Sequence, residues 1–329
     1  MGSSIKRAGL TDPPRIRMSG REFFIQFGAL AVLLGLILFN IIFTPNFASI
    51  NTLYLVIKQS AGPLCMAIGM TLVISIGGID ISTGSIMALC GVIIAQGMTT
   101  TGGNFLLWLF VAVGVCALVG MFNGVMIAKY NVQPVILTLV MQIVIRGVAV
   151  LIAKSSVFSL GKYPVISALG LYRINGVVPI QSIFFVVVAV VSIFAIKKTT
   201  FGTYVESIGE NTRAARLSGL HTVKIIVITY ALSSVLASLC GVIELARSSA
   251  VDPNELGMMY DLDAIAAVAI GGTSMKGGMA NVVGSIAGAI IMVLIGITVN
   301  MNNIPFAAAN LIKAVIIIGA LAIQRERTA

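Results

Sequence analysis

Nearly the whole chain is written in apolar runs about as long as a bilayer is thick. A spanning helix needs roughly 20 predominantly apolar residues. That template fits near 23–43, 60–77, 82–98, 104–127, 133–153, 179–196, 225–246, 263–275, 281–300 and 306–324. Ten such runs predict an all-α polytopic membrane protein, with the eighth, glycine-rich run the shortest of them. Only 10% of the 329 residues are charged, against about 25% in soluble domains, so an aqueous surface cannot be covered. Soluble enzymes, disordered tails and disulfide-stapled secreted modules are excluded.

The few charges set an orientation. With the N-terminus inside, 14 basic residues fall on the cytoplasmic side, and 5 (Lys58, Lys154, Lys162, Arg173 and Arg247) fall outside. That bias predicts both termini in the cytoplasm and an even number of spans. It also accounts for the net charge of +10 without a nucleic-acid partner. Pro13-Pro14 bars a helix ahead of the first run, and that flank has no cleavage-site pattern, so a retained first helix is expected. Residues 1–22 then form a cytoplasmic tail, 23–324 one transmembrane domain containing a cytoplasmic loop at 197–224, and 325–329 a C-terminal tail.

The inventory for catalysis is thin. Cys65, Cys90, Cys116 and Cys240 lie in apolar runs without a CxxC pair, which makes them small buried hydrophobes. A single histidine, His221, rules out HExxH metal chemistry and His-based triads with a spare base. The one Gly-Lys pair, Gly161-Lys162, is followed by Tyr163, so there is no phosphate loop and the chain hydrolyses no nucleotide by itself. No catalytic residue, metal or cofactor is expected.

Two glycine-rich breaks interrupt the membrane interior. Gly77-Gly78-Ile79-Asp80-Ile81-Ser82 splits a run that otherwise continues from Ala67 to Ile94. An acid there costs about 2.5–3.5 kcal/mol on insertion scales. It either belongs to a broken helix that gates or moves, or it caps the next span by accepting N–H groups around Ser82 and Thr83; the two roles are compatible. Gly271-Gly272-Thr273-Ser274, followed by Gly277-Gly278, is the second break, read either as pathway lining or as a turn between packed helices. Gly120-x-x-x-Gly124 and Gly284-x-x-x-Gly288 are close-packing faces. Arg146, Glu244 and Lys313 are charges within spans, all in the outer third, where ion pairing is the default reading.

The cytoplasmic stretch from Lys197 to Lys224 is polar and helical in its middle. Asn211 is a candidate N-cap, Thr212–Leu217 a helix of under two turns, and Gly219 a left-handed stop. So short a helix is marginal in water, and its persistence calls for docking. Ala214 and Ala215 leave a low-relief surface, while Arg213 and Arg216 share one side. An ordinary positive-inside connector is the competing reading.

Ala214-Ala215-x-x-x-Gly219 resembles the coupling motif of ABC importer permeases. Thr200-Phe201-Gly202, Glu206-x-Ile208-Gly209-x-Asn211, the 77–88 break, Asn123-Gly124, Arg146-Gly147, Asp261–Ala267 and Gly271–Gly278 are similar, in consistent order over roughly residues 20 to 324, to the ribose-type monosaccharide ABC permeases of the branched-chain amino acid/sugar permease family. Arg213 stands where the general motif has Glu. The resemblance implies a multi-pass permease subunit of the bacterial cytoplasmic (inner) membrane. Its implied partners are a second permease copy or paralogue, cytoplasmic ABC ATPases that bind the ATP, and an extracytoplasmic solute-binding protein. It further implies that Glu210, Asn211, Arg213, Ala214, Ala215, Arg216, Leu217, Ser218 and Gly219 contact the ATPase. Gly77, Gly78, Asp80, Ser82, Gly271, Gly272, Thr273 and Ser274 are the translocation or gating candidates. A monosaccharide is the first solute; another small polar solute, such as a nucleoside or an autoinducer-like compound, is the runner-up. An ion-coupled secondary transporter is disfavoured, since it needs a carboxylate network in the membrane and only Asp80 and Glu244 are available, on opposite sides.

Overall fold

A computed structural model of the chain describes residues 20–174 and 178–305, and beyond them residues 308, 310, 311, 313–315 and 318. Both expected tails therefore lie largely or wholly outside the described residues, as does most of the run at 306–324. The helices are α1 (Gly20–Phe43), α2 (Ile50–Ser75), α3 (Thr83–Thr101), α4 (Phe105–Tyr130), α5 (Pro134–Ala153), α6 (Pro164–Leu171), α7 (Ile180–Lys198), α8 (Thr200–Leu217), α9 (Thr222–Ser248), α10 (Tyr260–Ile270) and α11 (Val282–Met301). Two short antiparallel pairs accompany them: β1 (Phe158–Ser159) with β4 (Ala250–Val251), and β2 (Arg173–Ile174) with β3 (Val178–Pro179). They tie the 154–179 outer loop to itself and to the end of α9.

Among the described residues, seven helices are long and apolar enough to cross a bilayer: α2, α3, α4, α5, α7, α9 and α11; Gly28–Phe43 within α1 is a shorter apolar stretch. The chain is a multi-pass membrane protein. α2 and α3 sit at the centre, 78% buried over their spanning windows, while α4, α5 and α7 are only 22% buried and turn Leu, Ile, Val and Phe outward. Hydrophobic side chains on those outer faces are in their proper solvent, lipid.

Small residues let α9 reach the centre. A Cβ at Gly120 would overlap the Tyr230 carbonyl, and one at Gly124 would stand 2.6 Å from Val227 Cα, so α4 and α9 pack backbone to backbone. On its other side α9 meets α2 at Gly69, 3.2 Å from Ser233 Cα by the same measure. The glycine faces read from the sequence are structural in this sense, and Gly284 and Gly288 do the same for α11 against the Gly271 and Ala267 carbonyls.

The expected span at 263–275 is corrected. α10 has 11 residues, about 16 Å at 1.5 Å per residue, half of a bilayer core about 30 Å thick. The chain still crosses there. α9 begins beside the end of α8 and runs 27 residues to its far end, whereas Ala280 is back in contact with Glu206 of α8. The turn-rich stretch 252–259 and the half-helix α10 therefore complete one crossing together. Glycine ended α10 where the sequence count assumed that it continued.

Candidate functional site

Both breaks are built by one local device. α2 ends at Ser75, and Gly77 takes φ +80, with Gly77 N–H donating to Ile74 O (2.8 Å) and Gly78 N–H to Val73 O (2.9 Å). α10 ends at Ile270, and Gly272 takes φ +81, with its N–H donating to Ala269 O (3.0 Å) and Thr273 N–H to Val268 O (3.3 Å). This is the Schellman stop, which needs a left-handed residue and so favours glycine. The two Gly-Gly pairs look alike in sequence but are used one position apart: the first glycine turns at 77, the second at 272.

Asp80 follows the first stop and is wholly buried. Its Oδ1 accepts from Ser82 N–H (3.0 Å) and Ser82 Oγ–H (2.6 Å), and Asn123 Nδ2 donates to Ser82 Oγ (3.2 Å). Ser82 occupies the N-cap position of α3 without a side-chain cap of its own. Asp80 thus braces the turn that launches α3, two residues before its N-cap position. Asp80 Oδ2, Asn123 Oδ1, Ser85 Oγ and the Tyr230 hydroxyl are buried without a hydrogen-bond partner among the described residues. A Cβ at Gly78 would overlap that hydroxyl, so Tyr230 abuts the break. These unpaired oxygens give the break bonding capacity beyond its present contacts.

The second break is braced more fully. Asn281 Nδ2 donates to Gly271 O (2.9 Å), and its Oδ1 accepts from Gly284 N–H (3.0 Å) to cap α11. Thr273 Oγ1 accepts from Asn281 N–H (3.1 Å), and Ser274 Oγ accepts from Lys276 N–H (3.3 Å).

α8 is where the two breaks meet. Gly278 N–H donates to Ser75 O (3.0 Å), Ser75 Oγ donates to Met279 O (3.1 Å), and Ala280 N–H donates to Glu206 Oε1 (3.1 Å). A Cβ at Gly209 would overlap both Ser75 O and Gly278 N; one at Gly277 would stand 2.9 Å from Gly77 N and 3.0 Å from Gly209 O. Three backbones from α2, α8 and the 271–281 turn converge at a distance only glycine permits. Glu206 and Gly209 stood in the sequence as parts of a resemblance motif, and nothing local revealed that they join the two breaks. Tyr230 lay hidden in an apolar run.

The end of α8 has the shape the sequence predicted, on a longer base. Helix begins at Thr200, not Thr212, and Asn211 (φ −160, ψ 96) is the non-helical kink in it. Its Oδ1 accepts from Ala214 N–H (2.9 Å), as an N-cap does. Gly219 takes φ +87, and Leu220 N–H donates to Ala215 O (3.1 Å), a third Schellman stop. Glu210, Arg213, Ala214, Arg216, Ser218 and Gly219 are exposed; Ala215 is buried at 5%, while Leu217 is 82% exposed. The two alanines therefore do not share one docking surface: Ala215 packs inward, and the outward apolar side chain is Leu217.

The intramembrane charges are partnered. Arg247 Nε donates to Glu244 Oε2 (2.6 Å), Lys313 Nζ to Asp263 Oδ2 (2.6 Å), and Arg146 to the Pro253 and Leu256 carbonyls (2.9 and 2.6 Å). Arg146 thereby pins the 252–259 turn, and among the described residues it forms no ion pair.

Comparison with known proteins identifies the family. The family model for the branched-chain amino acid transport system permease component matches residues 53–321. The chain belongs to this family. It is 35% identical to the ribose import permease of Escherichia coli (strain K12) over 317 residues, which cover 94% of this chain and 98% of that one. It is 34% identical to the galactofuranose transporter permease of the same strain, over 83% of this chain and 79% of that one. The fructose import permease of Bifidobacterium longum is 32% identical over 82% and 76%. No solved structure matches the chain. Family members are transport components, so this permease is one as well.

Proposed function

We propose that the chain is the permease subunit of an ATP-driven importer, forming with a second copy or a paralogue the path for a monosaccharide delivered by an extracytoplasmic binding protein. The sugar comes from the relatives, which are permeases for ribose, galactofuranose and fructose. The membrane is the bacterial inner membrane, and residues 23–324 act as one membrane domain. ATP is bound and hydrolysed by a partner ATPase; the permease supplies no catalytic group.

The observation that carries the coupling is the position of α8. Its tip, 212–219, is exposed except at Ala215, and its body touches Ser75 at the first break and Gly278 and Ala280 at the second. A push on the tip reaches both helix breaks through the close backbone approach at Gly209 and through the Glu206 side chain. Gly77, Gly78, Asp80 and Ser82 on one side, and Gly271, Gly272, Thr273 and Ser274 on the other, are then the parts that move.

The test is at Leu217. Burying a leucine side chain contributes about 1.5–3 kcal/mol, so Leu217→Ala should weaken capture of the ATPase roughly tenfold to a hundredfold. Leu217→Asp should abolish it, and solute-stimulated ATP hydrolysis and import should fall together while the permease still inserts. Wild-type ATPase capture by Leu217→Asp would refute the assignment.

A further inference from the structure

The two helix breaks are made by the same device but are not equally satisfied. At the second, Thr273, Asn281 and Ser285 bond to one another and to the backbone around them. At the first, Asp80 Oδ2, Ser85 Oγ, Asn123 Oδ1 and the Tyr230 hydroxyl have no hydrogen-bond partner, which is four of the eight such buried side-chain oxygens among the described residues. All four residues are wholly buried. They come from four parts of the chain: the break itself, α3, α4 and α9.

Their contacts bring them to one place. Asp80 Oδ1 is linked through Ser82 Oγ to Asn123 Nδ2, so Asp80 and Asn123 each hold one end in that chain of bonds and keep a second oxygen free. Ser85 lies one turn along α3 from Ser82, on the same side. The Tyr230 hydroxyl sits against Gly78, and Asp80 is the carboxylate whose charge acts on it.

Charge decides what such a group of oxygens holds. Asp80 is in neither of the ion pairs found among the described residues, and a buried carboxylate without a cation is among the costliest arrangements in a protein. Water would satisfy the hydrogen bonds and leave that charge uncompensated. A cation answers both needs, because carboxylate, amide and hydroxyl oxygens are hard ligands. The other nearby carboxylate, Asp261, has its Cγ 3.8 Å from the place of a Cβ at Gly84. It is already engaged by Gln142 Nε2 (3.1 Å) and by the charge of Arg146. A single uncompensated negative charge calls for a single positive one. Among the described residues no three His, Cys, Asp or Glu gather to hold a metal, which sets aside both transition metals and the carboxylate-rich sites of calcium.

We propose that the first break binds a monovalent alkali cation, sodium or potassium, through Asp80, Ser85, Asn123 and Tyr230. The ion ties the turn between α2 and α3 to α4 and α9. This site stands apart from the import reading, since it needs neither the ATPase nor the solute.

The test uses the purified full-length permease in detergent. Its melting temperature is followed as sodium chloride or potassium chloride replaces choline chloride at constant ionic strength. Binding of radioactive sodium, or of rubidium as the tracer for potassium, is measured by scintillation proximity. The expected result is a saturable rise of at least about 3 °C with one or both ions, together with saturable binding of the matching tracer. Asp80→Asn keeps an acceptor for both bonds from Ser82 but removes the charge, so it should lose the rise and the bound tracer. Tyr230→Phe and Ser85→Ala each remove one oxygen, and each should raise the half-saturating ion concentration about tenfold; they keep the test decisive should Asp80→Asn fail to fold. Equal melting in all three salts with no tracer bound overturns the proposal and leaves ordered water at the break. An ion response that persists in Asp80→Asn, or that is unchanged in both Tyr230→Phe and Ser85→Ala, overturns it as well. A response to calcium chloride with none to sodium or potassium overturns the charge class.

Discussion

Replacing Gly209 by alanine tests whether the junction of α2, α8 and the 271–281 turn is the coupling element. The added Cβ overlaps Ser75 O and Gly278 N. Both are backbone atoms, so no rotamer change relieves the clash. Overpacking of this kind costs about 1–3 kcal/mol. Moving α8 away to relieve it instead breaks the Glu206–Ala280 bond, worth about 0.5–1.5 kcal/mol net. The junction therefore weakens by roughly 1–3 kcal/mol, the size of the free energy by which two sites are commonly coupled. The expected phenotype is uncoupling: ATP hydrolysis continues at the assembled complex while sugar import per ATP falls by about a factor of ten or more. Gly114→Ala is the control: it is exposed on α4, and no neighbour lies within 4 Å of its Cβ. The assay is parallel measurement of ATP hydrolysis and labelled-sugar uptake in proteoliposomes. Wild-type stoichiometry in Gly209→Ala would refute the junction as the coupling element.

At Asp80, an asparagine still accepts both bonds from Ser82, whereas leucine leaves two buried donors unpaired at about 1–3 kcal/mol each; transport should survive in Asp80→Asn better than in Asp80→Leu, and equal loss in uptake assays would count against a bracing role. Ala215→Trp should now destabilise the permease itself, because Ala215 faces inward; a lowered melting temperature in detergent is expected, and an unchanged one refutes its inward packing. For topology, cysteines introduced at Ser4 and Thr328 should resist impermeant reagents in intact cells, and outside labelling of either would break the inside-inside orientation.

Span-length apolar runs, the inside-positive bias and the helix stops at Gly77 and Gly219 were legible in the sequence, because each depends on neighbours within a turn or two. Transfer into lipid is a sum over one helix, and a Schellman stop closes over six residues. The N-cap at Asn211 was legible for the same reason, since its bond to Ala214 N–H spans three positions. What only the tertiary structure decided was which surfaces meet. Counting apolar residues counted a span at 263–275; packing showed that α10 is a half-helix completed by a turn that Arg146 holds from α5. Ala214 and Ala215 are chemically identical, and only the seating of α8 on the bundle separates the exposed one from the buried one. Gly209 looks like any helix glycine until Ser75 and Gly278, from far along the chain, close on it. Contacts between backbones remote in sequence leave no periodic mark, because glycine signals that something comes near without naming what.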